Sequence, residues 1–374
     1  MTTRALFITS LLFLMFATHL HGEPAMTQPR HTAVSIKGEK FLINGQPTHA
    51  GKTFNNQSIE GLLFNARLVQ ATFDDENPDT RKRWSYPDGT PYDADRNTRE
   101  FIAALPEYKK HGLTGFTINL QGGSPQGYSQ EPQVWINSAF NDDGSLKPAY
   151  MKRVEAVLDK ADELGMIVIL GYFYFGQAPR MKPDAIERAA DNATEWLIAK
   201  KYTHVIIEIA NETDHPKYAH PGLKPKAANI LIERVQRRSQ DKIATPAKRL
   251  LVSTSLMGGN LPTDAMVRSS DFILLHGNGV GDPQKISAMV QKVRKMSVYR
   301  GQPILFNEDD HFDFDKPTNN FLAAVEAGAG WGYFDYRMKG EGFDEGHQSI
   351  PVNWGISSNR KRGFFELLKK ITGP

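Results

Sequence analysis

The chain contains no cysteine. That absence alone excludes disulfides, thiolate-ligated zinc, iron–sulfur clusters and thiol nucleophiles. A surplus of one charge is missing too: 45 Lys and Arg stand against 42 Asp and Glu, a formal net charge of +3. Such a balance leaves no electrostatic footprint for nucleic acid or an acidic membrane, and neither is expected as a partner. A dinucleotide fingerprint is also lacking: Gln121-Gly122-Gly123-Ser124 follows an apolar run but does not have the required glycine spacing. What is present is a chain of 374 residues, 40% hydrophobic and 23% charged. Those proportions suit a globular core and exclude wholesale disorder, a coiled coil or a polytopic membrane protein.

Near the start, Arg4 is followed by thirteen almost wholly apolar residues, Ala5 to Ala17. A bilayer span needs roughly 20 residues, so this run reads as the apolar centre of a secretory signal. Residues 1–25 are therefore expected to be a signal peptide, and 26–374 a single domain of an exported protein, periplasmic or extracellular. Lack of cysteine does not argue against export, because a large core needs no disulfide staples.

The mature chain opens with alternating apolar and polar residues around Val34, Ile36, Phe41 and Ile43, with Lys37-Gly38-Glu39 and Asn44-Gly45 as turns. This predicts a small β-ribbon. Apolar, strand-like runs then fall at 67–73, 115–121, 166–172, 205–211, 250–255, 272–276, 304–308 and 332–335. Helical periodicity separates them, at 98–110, 148–164, 186–200, 227–238, 283–296, 319–327 and 363–371. Strands buried on both faces and alternating with helices predict an α/β fold: a (β/α)8 TIM barrel with a short N-terminal β-ribbon.

In such a barrel the active site lies at the carboxyl ends of the strands. The fourth run ends Asn211-Glu212, the sixth Leu275-His276-Gly277-Asn278, the seventh Asn307-Glu308 and the eighth Asp335-Tyr336-Arg337. Two carboxylates on facing strands are what glycosidic cleavage requires: one protonates the leaving oxygen, the other attacks the sugar or activates water. Solvated rim carboxylates are the structural alternative.

With Asn211-Glu212 closing the fourth strand and Glu308 the seventh, the chain resembles the retaining glycosidases of glycoside hydrolase clan A, which includes family 5 cellulases and mannanases. Phe41 to Pro47 (FLINGQP) is similar to the lead-in ribbon of many such enzymes. The resemblance implies Glu212 as acid/base, Glu308 as nucleophile and Asn211 on the sugar 2-hydroxyl; neither a cofactor nor a metal is expected. The chain also departs from the family. Thr117 stands where members usually carry a strand-two arginine, Phe173 where they have a histidine, and Asn278 where an aromatic follows the strand-six histidine. His276 does match. The pattern implies a divergent branch.

Further candidates for sugar binding are Gln121 at the end of the second run, and Asp74 and Asp75 after the first. Trp135, Tyr336 and Trp354 are candidate stacking platforms. Asp335 and Arg337 follow the eighth strand; Arg337 either binds an acidic or sulfated sugar or pairs with Asp335. Glu208, two strand periods before Glu212, reads as a deeper hydrogen-bonding residue with Arg67 as candidate partner. The acidic stretch 309–315 lacks the spacing, turn glycine and closing glutamate of a calcium loop. Two other readings stand beside the glycosidase: a non-catalytic carbohydrate-binding barrel, and a metal-dependent barrel hydrolase using His276, Asp310 and His311. Long segments at 74–97, 122–147 and 339–354 all leave the catalytic rim, which predicts a walled pocket instead of an open groove.

Overall fold

The computed structural model describes residues 30–128 and 132–373. The expected signal segment, 1–25, lies outside them. The chain enters through a small antiparallel sheet in which β1 (Val34–Lys37) pairs with β2 (Lys40–Ile43), and β2 with β3 (Gln46–Pro47). A second tiny hairpin, β4 (Thr53–Phe54) and β5 (Gln57–Ser58), turns on Asn55 and Asn56, both with positive φ. Asparagine tolerates that conformation better than most residues.

Parallel strands and helices then alternate. In order they are β6 (Asn65–Ala66), α1 (Pro78–Arg81), α2 (Ala94–Lys110), β7 (Gly115–Asn119), α3 (Pro148–Glu163), β8 (Ile167–Tyr174), α4 (Ala185–Ala199) and β9 (Val205–Asn211). There follow α5 (Ala228–Ser239), β10 (Leu251–Ser253), α6 (Asp264–Ser269), β11 (Ile273–His276), α7 (Pro283–Arg294), β12 (Ile304–Glu308), α8 (Asn320–Glu326), β13 (Gly332–Tyr333) and α9 (Asn359–Thr372). Local chemistry explains the boundaries. α3 opens with Pro148 at its first turn, buries Met151, Val154, Val157, Leu158 and Ala161, and ends before Gly165, whose φ of 66° suits a helix stop. The side chains of Asp93, Asp282 and Ser358 cap α2, α7 and α9.

β7 to β10 form one parallel sheet in chain order, and β11 pairs with β12 and β13 with β6, again in parallel. Single bridges join Arg67 to Thr117, and Leu305 to Gly330. The Asp271 N–H donates to the Val252 carbonyl at 2.9 Å, linking β10 to the approach of β11. Alternation along the strands divides their side chains. Val168 and Leu170 join the large core under the helices. Ile167 and Ile169 meet Ile206, Leu251, Leu274 and Leu305 in an inner cluster with Leu63, and Val34 and Phe41 of the first sheet pack into it.

The first strand departs from expectation. Its pairing stops at Arg67, and residues 69–72 form a 3-10 turn instead of continuing to 73. Asn97 and Thr98 of α2 explain this, because their side chains donate to the carbonyls of Gln70 and Ala71, both at 2.8 Å, which a strand would offer to a neighbour. Among the described residues, no helix is long and apolar enough to cross a membrane.

Candidate active site

The carboxyl ends of the parallel strands carry a buried polar cluster. β9 is buried along its whole length, and the chain leaves it through Glu212, whose φ of 54° lies in the left-handed region. Such a conformation costs a non-glycine residue about 1 kcal/mol or more and calls for support from its surroundings. Ser255, just beyond β10, supplies it. Its hydroxyl accepts the Glu212 N–H at 3.0 Å and donates to Glu208 Oε1 at 2.6 Å, while its carbonyl accepts the Thr213 N–H at 3.0 Å.

His276 ends β11, where the register to β12 shifts by a bulge, and its ring is aimed between the two carboxylates. Nδ1 lies 3.2 Å from Glu212 Oε1 and 3.8 Å from Glu308 Oε2. One carboxylate oxygen of each glutamate and this nitrogen all lie within 4.8 Å of one another. Burial opposes a charge on His276, but Glu308 and Glu212 outweigh it and raise the imidazole above its ordinary value. Glu308 has two further partners. Arg67 Nε ion-pairs with Oε2 at 3.0 Å, and Asn278 Nδ2 donates to Oε1 at 2.7 Å. Arg67 enters the site from the strand position next to Thr117, since the two bridge each other.

A cavity of about 30 Å³ sits on this cluster, lined by Glu212, Glu308, Asn211, Asn278 and Arg67, with Tyr128, Tyr174, Phe334 and Gln348 closing it. Beside it runs a groove of about 690 Å³, and Tyr128 belongs to the walls of both. All three long segments reach that groove, through Arg83 and Trp84, through Pro125 to Tyr128, and through Lys339 and Ser349.

Of the sequence-derived candidates, Glu212, Glu308, Asn211, His276 and Asn278 come together, and Tyr336 and Arg337 line the groove. The others are engaged elsewhere, which corrects their expected role. Asp74 ion-pairs with Arg153 at 2.8 Å. Asp75 is buried and accepts from Thr80 Oγ1, Trp84 Nε1 and the Ile136 N–H, so it ties down its own loop. Gln121 accepts the Tyr174 N–H at 3.1 Å, acting behind the cavity wall. Trp135 is buried with Trp84 against it, and Trp354 is buried, stacked on His347 and bonded to Asn97. Neither ring is open to a sugar. Asp335 pairs with Arg360 at 2.9 Å, not with Arg337. The set His276, Asp310 and His311 is divided: His276 groups with the two glutamates, while Asp310 and His311 group with Asp309. Asp309 in turn accepts from His311, Asn320 and Trp331.

Tyr128, Ser255, Phe334 and Gln348 were not legible as site residues, because nothing in their local sequence marks them. Arg67 carried a signal, a lone cation in an apolar run, but its partner is Glu308.

No family profile matches the chain, and no curated protein does. Solved structures do. A GH5-4 broad specificity endoglucanase from Clostridium longisporum aligns with TM-score 0.53 at 13% identity, over 83% of this chain and 97% of that one. A glycoside hydrolase family 5 protein from Bacteroides vulgatus aligns with TM-score 0.53 at 13% identity, over 90% of this chain and 70% of its own. The chain shares their fold. A GH5 family lichenase from Caldicellulosiruptor sp. F32 gives 0.50 at 15%, over 83% and 92%. Another, larger Bacteroides vulgatus protein is spanned over 59% of its length.

Proposed function

We propose that this protein is a retaining glycoside hydrolase on a (β/α)8 barrel, with Glu212 as acid/base and Glu308 as nucleophile. The observation that carries the reading is the approach of one oxygen of each glutamate to within 4.8 Å of the other. Carboxyl groups in retaining enzymes stand roughly 5–5.5 Å apart, whereas inverting enzymes leave about 6.5–9.5 Å for a water molecule. The surroundings divide the two roles. Glu308 faces a buried guanidinium and an amide donor, which suits a carboxylate that attacks the anomeric carbon. Glu212 faces His276 Nδ1 at 3.2 Å, while the direct ion pair of Arg67 goes to Glu308, and it lies where a leaving oxygen can take its proton. Asn211, next to it, has a buried Oδ1 with no hydrogen-bond partner among the described residues, placed to accept from a sugar hydroxyl. The strand-to-strand contacts and the inner cluster support the barrel, as do the neighbours' folds. The apolar run at 5–17 supports export.

The small cavity beside a walled groove favours action on short glycans or chain ends. Release of single sugars or short end fragments from a long polymer agrees with this; rapid viscosity loss with mid-length products opposes it. The activity itself is tested by a screen of aryl glycosides and oligosaccharides against wild type and Glu308→Gln, with and without chelator. Hydrolysis that survives chelation and is lost in Glu308→Gln is expected. Binding without turnover means a carbohydrate-binding barrel, and loss with the chelator means a metal-dependent hydrolase.

A further inference from the structure

The groove next to the carboxylates is unusual in its charge. Among the described residues three cations line it, Arg83, Arg337 and Lys339, and no carboxylate does. Among the described residues none of the three has an ion-pair partner within 4.0 Å. Among the described residues, Arg337 is held by neutral groups alone: Nε donates to the Gly342 carbonyl at 2.9 Å and Nη2 to that of Pro351 at 2.8 Å. These bonds fix the guanidinium without neutralising it, and burial lowers its pKa despite Glu341 and Asp335 nearby. Both of those carboxylates are taken by Arg360, at 2.9 Å to each. Among the described residues, the positive charge of the groove is therefore uncompensated.

The same groove carries exposed apolar surface. Tyr128 and Met338 are 39% and 37% exposed, two of the three large hydrophobic residues that are exposed among the described ones. Tyr336 packs edge-on against Tyr128 at 5.3 Å. An aromatic face covers the apolar side of a pyranose, and fixed cations bind a carboxylate or sulfate.

Resting on the glycosidase reading, we propose that the groove binds an anionic stretch of the substrate: a glycan bearing carboxylate or sulfate groups. Tyr128, shared by groove and cavity, sets the anionic residue beside the bond to be cleaved.

The test uses the full chain carrying Glu308→Gln and titration calorimetry. The probes are neutral cello- and manno-oligosaccharides, their C6-carboxylate forms and their 6-O-sulfated forms. One anionic series should bind about ten-fold more tightly than its neutral counterpart, with the preference falling as salt rises. Adding Arg83→Ala and Lys339→Ala, both at exposed positions, should remove most of that preference with the melting temperature unchanged. The carboxylate and sulfate arms separate the two anions. Equal or tighter binding of neutral sugars, a preference that survives the substitutions, or no anionic binding by the folded protein overturns the proposal. Turnover by wild type is scored separately. Neutral sugars hydrolysed without an anionic preference would sink the groove assignment alone, while anionic binding without any hydrolysis would sink the glycosidase reading alone.

Discussion

Arg67 Nε lies 3.0 Å from Glu308 Oε2, with the two side chains 2% and 7% exposed. This is a buried pair between the first and seventh parallel strands, and Glu208 adds a second negative charge facing the same guanidinium. Breaking a buried pair by removing one member leaves an uncompensated charge, at about 3–5 kcal/mol. Arg67→Met should therefore lower stability by that order in denaturant unfolding, and lower turnover by about 10²-fold as Glu308 loses its anchor. Arg67→Lys should recover only part of both, because lysine cannot reproduce the planar fork. Wild-type stability in Arg67→Met would remove the pair from the account.

The His276 imidazole is raised above its ordinary value against the opposing effect of burial. A group with a raised folded pKa stabilises the native state fully below the unfolded value of about 6.5, and that contribution is lost as pH climbs through the folded value. The stability difference between wild type and His276→Gln should be largest in mild acid and shrink in alkali. A difference that grows with pH would show that His276 sits neutral between the glutamates.

Other histidines act in the reverse sense. Burial holds His204 and His49 down at about 4 and His347 well below its ordinary value. Their unfolded forms take up protons first, so stability should fall as pH drops from about 6.5 toward 4. His347→Gln should flatten that part of the profile in thermal melts. An unchanged slope would place the acid sensitivity elsewhere.

Glu212 holds a left-handed backbone at the end of β9. Glycine adopts that conformation without strain, so Glu212→Gly should be more stable by about 1 kcal/mol while losing turnover. A melting temperature below wild type would show that the Glu212 side chain contributes more to the fold than its backbone costs.

The strand–helix alternation was legible because apolar runs such as 166–172 and 205–211 are buried on both faces, leaving an unbroken hydrophobic signal. The first strand ends earlier than its apolar run because Asn97 and Thr98, some 27 residues on, capture its carbonyls. Glu212, Glu308 and His276 were legible because they terminate strands, where the fold fixes position. Trp135, Trp354 and Asp75 were not, since a loop's hydrophobicity does not say whether it faces a sugar or folds back on its neighbours. Tyr128 closes the cavity and packs against residues more than two hundred positions away, Phe334 and Tyr336, a contact that no local pattern announces.

The central claim is that Glu308 attacks the sugar, and the most direct measurement is azide rescue of Glu308→Ala on an aryl glycoside that the wild type hydrolyses. Removing the side chain should abolish turnover, and azide entering the vacated space should restore part of it, giving a glycosyl azide of inverted anomeric configuration. Near wild-type hydrolysis by Glu308→Ala without azide would contradict the account.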